Sequence, residues 1–272
     1  MKKLLFFLLL IPLTFSCKKD KDENGGGPNS PAPKYPIFTE FKEIKSDGDT
    51  YKLKLYTYTE LLDGYNVLKV EVFNNKDLPI TDVDLQITVS GSNKESYPVK
   101  AAVKYSNNEG NYFIAGLVFD NKTNTSKNYN VEILINPQVG NSEKAIFDAS
   151  VKDVNYSRIQ KYTSTTEKTD FYIAQVRPII GTKAGLSDYI VFYIAVKDDS
   201  GKWVAEDELS VIATLTYKDQ KEDLSLINGK AGLYTSLNAI RFISADKYQI
   251  ALSLLRGSKT IASDLKFEFE ID

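Results

Sequence analysis

The sequence predicts an all-β protein with two tandem immunoglobulin-like β-sandwich domains, preceded by a signal peptide and a flexible linker. From Tyr51 onward, short runs of alternating apolar and polar residues are separated by clusters of Gly, Asn, Asp and Ser. Such runs, rich in β-branched and aromatic residues, are typical of sandwich strands. No stretch combines a sustained helical period with helix caps. The landmarks of the first half also recur in the second half.

The alternating pattern places strands in the first half one after another. We expect them at residues 51–56, 67–73, 83–89, 99–103, 112–119, 129–135 and 146–151. In the runs 51–56, 83–89 and 129–135 apolar residues recur at every second position, as they do in a strand with one buried face.

The second half repeats the first at an interval of about 120 residues, which is long enough for one seven-stranded sandwich. The matched landmarks are Gly64 with Gly185, the turn 74–77 with the turn 198–201, Leu85 with Leu209, Gly110-Asn111-Tyr112 with Gly232-Leu233-Tyr234, Tyr129 with Tyr248, and Ile146 with Ile261. The interval drifts by a few residues, as expected when only turns change length. We therefore place the first sandwich at residues 36–156 and the second at 157–272.

Residues 1–16 have the features of a secretory signal peptide. Two lysines precede the apolar run 4–15, which is too short for a bilayer span of about 20 residues. A small residue before the lone Cys17 resembles the lipobox of bacterial lipoproteins, although Thr14 stands where that family usually has leucine. The resemblance implies a cysteine acylated after cleavage and attachment to a membrane through lipid. An ordinary secretory signal with an unrelated cysteine is the alternative.

A charged cluster follows the cysteine directly. Its members are Lys18, Lys19, Asp20, Lys21, Asp22 and Glu23. The cluster resembles the lipoprotein export signal of Bacteroidota, which implies a location on the outer face of the outer membrane. The alternative is a solvated charge run at the head of a linker. Glycines and prolines at 25–33 complete a flexible tether, which we place at 17–35.

The order of landmarks in each half resembles the immunoglobulin-like domains of the YtkA-like and FixH-like type. The matching residues in the second half are Gly185, Asp198 to Gly201, Leu209, Gly232-Leu233-Tyr234 and Tyr248. Many relatives carry a stretch rich in methionine and histidine between these landmarks, suited to a metal. The corresponding segment 216–223 has neither residue. The resemblance therefore implies the fold without the metal role.

The composition excludes several classes of function. The chain has 34 basic and 36 acidic residues, a net charge of −2, and so gives no electrostatic case for nucleic acid. It has no histidine, one cysteine and one methionine, which is the initiator. Nucleophile–histidine catalysis and ordinary zinc, copper or haem sites depend on those residue types. We expect no enzyme activity and no cofactor.

An acidic turn is a weak candidate for calcium, which needs only oxygen ligands. The candidate ligands are Asp198, Asp199 and Asp207. The alternative is that Asp, Ser and Gly form a tight hairpin turn there.

Aromatic residues supply the candidate interaction sites. Tyr56 and Tyr58 share a strand face with Lys52 and Lys54, opposite Leu53. Exposed aromatics stack on sugar rings or anchor protein interfaces, whereas the alternative is that tyrosine is simply a good strand residue.

Trp203, the only tryptophan, lies at the start of a strand. It would be an interaction anchor if exposed at a loop tip, and core or edge packing is the alternative.

The expected function is therefore binding or scaffolding by surface contact. The first hypothesis is a lipid-anchored accessory docked to an outer-membrane protein complex. The alternative is a glycan-binding surface lipoprotein of a nutrient-uptake system. Coplanar exposed aromatics with polar neighbours favour a glycan, whereas a contiguous apolar patch with a polar rim favours a protein partner.

Overall fold

The computed structural model describes residues 37–107 and 110–272. In this part of the chain the regular structure is β-strand, without any helix, so the all-β prediction is confirmed. Accordingly, the described residues include no helix of the length and apolarity that a membrane crossing requires. The acylation candidate Cys17 and the charged cluster 18–23 lie outside the described residues.

The first sandwich consists of nine strands in two antiparallel sheets. They are β1 (Thr39–Lys45), β2 (Tyr51–Thr57), β3 (Gly64–Asn74), β4 (Val83–Gly91), β5 (Ser96–Tyr97), β6 (Val99–Asn107), β7 (Gly110–Phe119), β8 (Asn128–Pro137) and β9 (Glu143–Ser150). One sheet has the order β1-β2-β3-β7-β6 and the other has the order β5-β4-β8-β9. Apart from β1, these are the A-B-E-D and C′-C-F-G sheets of an immunoglobulin-like domain.

The second sandwich repeats this order with eleven strands. They are β10 (Ile159–Ser164), β11 (Thr169–Arg177), β12 (Ser187–Asp188), β13 (Val191–Lys197), β14 (Trp203–Ala205), β15 (Ser210–Tyr217), β16 (Gln220–Asn228), β17 (Leu233–Ser236), β18 (Ile240–Arg241), β19 (Asp246–Arg256) and β20 (Lys259–Ile271). The main sheet runs β10-β11-β13-β17-β16-β15-β19-β20, with β14 paired to β13. A two-residue turn, in which Lys218 has a φ of +51°, joins β15 to β16. Because this hairpin makes β16 pair with both β15 and β17, the two sheets of this sandwich are continuous.

Equivalent turns and corners mark the two halves as repeats. The Oδ1 atom of Asn74 accepts hydrogen bonds from the backbone two and four residues later, at 2.9 and 3.0 Å. Asp198 Oδ1 makes the same two bonds, both at 2.9 Å. Tyr129 and Tyr248 are buried near the start of β8 and β19, and each hydroxyl bonds back to a residue upstream. This arrangement is similar to the tyrosine corner of immunoglobulin-like domains.

Strands β11 and β13 are buried on both faces. Their inward side chains pack in the core of the second sandwich: Phe171, Ile173, Phe192 and Ile194. Their outward side chains join the core of the first sandwich: Tyr172, Ala174, Tyr193 and Ala195. The described residues accordingly form one compact unit. The outer face of one sheet of the second sandwich is the surface that joins it to the first.

Aromatic side chains hold this junction at specific points. Tyr172 donates a hydrogen bond to Asp120 Oδ2 at 3.0 Å. The Tyr172 ring contacts the indole of Trp203 at 4.8 Å, and Trp203 Nε1 donates to the carbonyl oxygen of Ser96 at 2.9 Å. These bonds satisfy the polar ends of large side chains that are otherwise buried by apolar contacts.

Gly116 creates the space that a further junction residue occupies. A Cβ atom at Gly116 would lie 1.9 Å from the hydroxyl oxygen of Tyr65. The Tyr65 ring in turn lies 5.6 Å from the ring of Tyr193 in the second sandwich. A side chain at position 116 would therefore displace Tyr65 from the junction.

Replacing Tyr172 with Phe tests the junction, because it removes one donor to the buried Asp120 carboxylate without changing the ring. We expect Tyr172→Phe to lower the free energy of unfolding by about 1–3 kcal/mol. Urea denaturation measures this change, with Trp203 fluorescence reporting the junction and circular dichroism reporting the strands. Tyr189→Phe is the control, because Tyr189 is 44% exposed, and it should change stability by less than about 0.5 kcal/mol. Equal stability of Tyr172→Phe and wild type would contradict this view of the junction.

Candidate functional site

The structure places Trp203 at the junction and not at a free loop tip. Its side chain is half-buried, contacts Tyr172 and donates to Ser96, and the ammonium group of Lys197 lies 5.1 Å from its ring. These contacts fit the alternative given in the sequence analysis, in which Trp203 packs in the core or at a strand edge. Trp203 therefore joins the two sandwiches within the chain.

Of the three aspartates of the weak calcium candidate, Asp198, Asp199 and Asp207, the first and the last accept hydrogen bonds in different places. Asp198 Oδ1 accepts hydrogen bonds within its own hairpin turn, including one from Ser200 Oγ at 2.7 Å. These bonds hold the pKa of Asp198 below its ordinary value. Asp207 instead accepts from the backbone of Ala231 and Gly232, at 3.1 and 2.7 Å. Across 37–107 and 110–272, no group of three or more His, Cys, Asp and Glu side chains is arranged to hold a metal.

Tyr56 and Tyr58 are both half-buried and make different contacts. Tyr58 stacks on Phe38, with ring centroids 4.1 Å apart and planes 23° apart. Tyr56 lies on the outward face of the five-stranded sheet, where its hydroxyl donates to Glu71 Oε2 at 2.8 Å. Tyr56 thus belongs to a polar network, and Tyr58 belongs to an aromatic pair.

Lys69 is the centre of the network that contains Tyr56. Its ammonium nitrogen lies 4.8 Å from the ring centroids of both Tyr56 and Tyr112, and 2.8 Å from Glu71 Oε1. Cation–π contacts of this kind contribute about 0.5–1 kcal/mol at exposed sites. The network holds two tyrosine rings in place on either side of one lysine.

The environment of Tyr56 disfavours its ionised form. Burial raises the pKa of the Tyr56 hydroxyl well above its ordinary value, and the hydrogen bond to Glu71 raises it further. The hydroxyl therefore remains a donor at neutral pH, and it holds the Glu71 carboxylate in the orientation that pairs with Lys69.

Next to this network lies a patch of apolar and aromatic side chains from β6 and β7. Its members are Val103, Tyr105, Tyr112 and Ile114, and we call it the β6–β7 patch. Val103 pairs across the strands with Ile114, and Tyr105 pairs with Tyr112. Val103 and Tyr105 are each 41% exposed, and the rings of Tyr105 and Tyr112 are 5.6 Å apart with planes 14° apart. The patch therefore combines apolar surface with a nearly parallel pair of tyrosines.

The sequence analysis missed this patch, although its signal was present. Tyr105 and Tyr112 lie in runs with apolar or aromatic residues at every second position. These residues are on the strand face opposite the buried Phe113. Alternation alone does not identify the solvent face, because both faces of these strands carry large side chains. The match of Tyr112 with Tyr234 is also wrong, since Tyr234 is fully buried and Tyr112 faces outward.

Comparisons with known proteins give only distant likenesses. No protein-family model and no curated protein matches the chain. A conserved domain protein from Bacillus anthracis is 12% identical over 91% of this chain and 96% of that chain, with a TM-score of 0.34. The Escherichia coli adhesin FdeC is 13% identical over 86% and 66%, with a TM-score of 0.25.

A DUF4785 family protein from Legionella pneumophila is 11% identical over 82% of this chain, with a TM-score of 0.29. This chain covers 56% of that protein's length. None of these likenesses identifies a function, which must be argued from the residues themselves.

Replacing Glu71 with Gln tests the Tyr56 network. The neutral amide no longer opposes a negative phenolate, so the pKa of Tyr56 should fall toward its ordinary value while staying above it, because burial remains. Alkaline titration of isotope-labelled tyrosine ring carbons by NMR measures the change, and Tyr56→Phe assigns the signal. Glu132→Gln on the other sheet, where Glu132 pairs with Lys144, should leave the Tyr56 pKa unchanged. An unchanged Tyr56 pKa in Glu71→Gln would show that the network does not act in solution.

Proposed function

We propose that the protein is a non-catalytic lipoprotein, anchored through Cys17 and displayed on the outer face of the outer membrane. There it serves as a binding and scaffolding accessory of an outer-membrane protein complex. The N-terminal signal, the lone cysteine and the charged cluster 18–23 support the location. The two joined sandwiches support the role, because such a body presents a fixed surface to a partner.

The observation that carries the binding role is the β6–β7 patch with its charged rim. Apolar and aromatic side chains occupy the centre, and Lys69 and Glu71 lie beside it. Protein interfaces commonly have an aromatic, desolvated centre and a polar rim. Ile212, Ile227 and Leu237 are also exposed on neighbouring segments of the second sandwich, but these three side chains include no aromatic ring. The patch is therefore the contact surface that we assign to the partner.

A glycan is the second candidate ligand, because Tyr105 and Tyr112 are neighbouring rings in nearly parallel planes. Sugar rings stack on such aromatic surfaces, and Lys69 and Glu71 beside them supply polar groups for hydroxyls. Binding of wild type but not Tyr105→Ala on a glycan array, with Tyr189→Ala as the control, would favour this candidate over the protein partner.

The anchoring proposal predicts that palmitate labels the wild-type protein in intact cells and does not label Cys17→Ser. Acylation needs the cysteine sulfur, whereas serine offers only a hydroxyl. A variant with residues 18–23 replaced by alanine should keep the lipid but lose accessibility to antibody on intact cells. Absence of palmitate in wild type, or equal surface labelling of both lipidated proteins, would contradict the anchor or the export signal respectively.

The partner proposal predicts position-dependent crosslinking in the outer membrane. A photoreactive phenylalanine at position 105 should crosslink to one dominant protein, because the patch is buried in the complex. The same probe at position 189, which is similarly exposed, should give little of that product. Lys69→Glu, which reverses the charge beside the patch, should reduce the product severalfold. Equal crosslinking from positions 105 and 189 would contradict the assignment.

A further inference from the structure

A cleft lies where the two sandwiches meet, apart from the β6–β7 patch. Its volume is about 70 Å³, which is enough for a small ligand group. The wall from the first sandwich includes Tyr58, Asp63 and Tyr65, and the wall from the second includes Arg158 and Val176. The cleft thus combines aromatic and aliphatic surface with one arginine.

Arg158 is unusual for an arginine because it is only 6% exposed. Its Nη2 group donates to the backbone carbonyl oxygens of Pro178, at 2.8 Å, and Gln175, at 3.5 Å. Its Nε group is buried and makes no hydrogen bond with the protein. Among the described residues, no carboxylate forms an ion pair with it. Burial lowers the pKa of Arg158 to about 10, so it is still charged at neutral pH.

A buried charge without a counter-ion is costly to the folded state. Gln175, whose backbone N–H donates to the carbonyl oxygen of Arg158 at 2.8 Å, adds to this cost. Both polar atoms of its side chain are buried without a hydrogen bond to the protein. Of these two residues, Arg158 lines the cleft and Gln175 does not, so the unsatisfied Nε of Arg158 is the polar group that bears on the cleft. Such groups in a native structure need an explanation, and binding is one.

The other charged groups around the cleft are already engaged. Asp63 accepts a hydrogen bond from the backbone N–H of Asn121 at 2.9 Å, and burial raises the pKa of its carboxyl. Arg177 pairs with Asp188 at 2.6 Å. Arg158 is thus the positive charge in the cleft wall that lacks a carboxylate.

We infer that the cleft binds a small monoanionic carboxylate, with Arg158 as the group that receives its charge. A guanidinium and a carboxylate match in geometry and form charge-assisted hydrogen bonds. The short apolar part of the ligand would lie against Tyr65 and Val176. A dianion such as phosphate fits less well, because one guanidinium neutralises one charge and the Asp63 carboxyl lines the opposite wall of the cleft. The residues that line this site are distinct from Cys17 and from those of the β6–β7 patch.

Titration of the purified full chain with sodium butyrate tests the inference, using butyramide as the uncharged control. Sodium chloride keeps the ionic strength constant, so that general screening is excluded. We expect a millimolar dissociation constant for so small a ligand. Butyrate should raise the unfolding temperature and shift the Arg158 Nε–H signal in the NMR spectrum, while butyramide should do neither. Sodium phosphate should bind at least several times more weakly.

Arg158→Met and Arg241→Met separate the site from general charge effects. Both remove one positive charge, but Arg241 is exposed and does not line the cleft. Arg158→Met should weaken butyrate binding by about tenfold or more. The variant loses an unpaired buried charge but also the hydrogen bonds to Pro178 and Gln175, so binding is compared at a temperature at which both proteins are folded. Arg241→Met should bind butyrate like wild type.

The wild-type spectrum keeps the inference testable if Arg158→Met fails to fold. Absence of a butyrate-dependent shift of the Arg158 signal, or an equal response to butyramide, would overturn the inference. Butyrate binding that Arg158→Met retains would overturn it as well. These outcomes leave the palmitate and crosslinking results unaffected, so failure of the cleft site and failure of the proposed function are distinguishable.

Discussion

The burial of β11 and β13 on both faces is the constraint on which the rest of the structure depends. Each strand contributes one set of side chains to its own sandwich and another set to the core of the first sandwich. The second sandwich therefore cannot unfold or swing away without exposing apolar surface of its neighbour, which favours a single cooperative unit. The junction also creates the cleft, because the wall of the cleft includes residues of both sandwiches. One of these residues is Arg158, which immediately precedes β10.

The equivalent face of the first sandwich carries different side chains and is less buried. In the first sandwich Lys54 pairs with Glu71 across β2 and β3. In the second sandwich the corresponding pair across β11 and β13 is Tyr172 with Ala195. The same pairing matches Tyr56 and Lys69 with Ala174 and Tyr193. One copy of the repeat therefore has two tyrosines and two alanines on this face and is buried. The other has two lysines, one glutamate and one tyrosine, which are half-buried. The duplicated fold supplies one internal junction and leaves the equivalent face of the other copy in contact with water.

The sequence predicts the fold well because alternation reports which residues face the core. It does not determine register, since a shift of two residues leaves every side chain on the same face. Superposing β8 on β19 at their tyrosines matches Leu85 with Val211, two residues beyond the predicted Leu209. The match of Ile146 with Ile261 is wrong for another reason, because Ile146 is 52% exposed and Ile261 is buried. The unbroken apolar run 190–196 was a usable sign of burial on both faces.

The candidate sites were less predictable because they arise from contacts between distant parts of the chain. A single arginine in a sequence carries no sign that it will be buried without a carboxylate, and Arg158 acquires that property only when the second sandwich packs on Tyr65 and its neighbours. The same holds for Lys69, whose two tyrosine contacts come from different strands. In a chain without histidine, recognition can still come from ordinary side chains whose hydration is removed by packing. A junction between two domains removes water from a few polar side chains, while the cores of the two domains remain apolar.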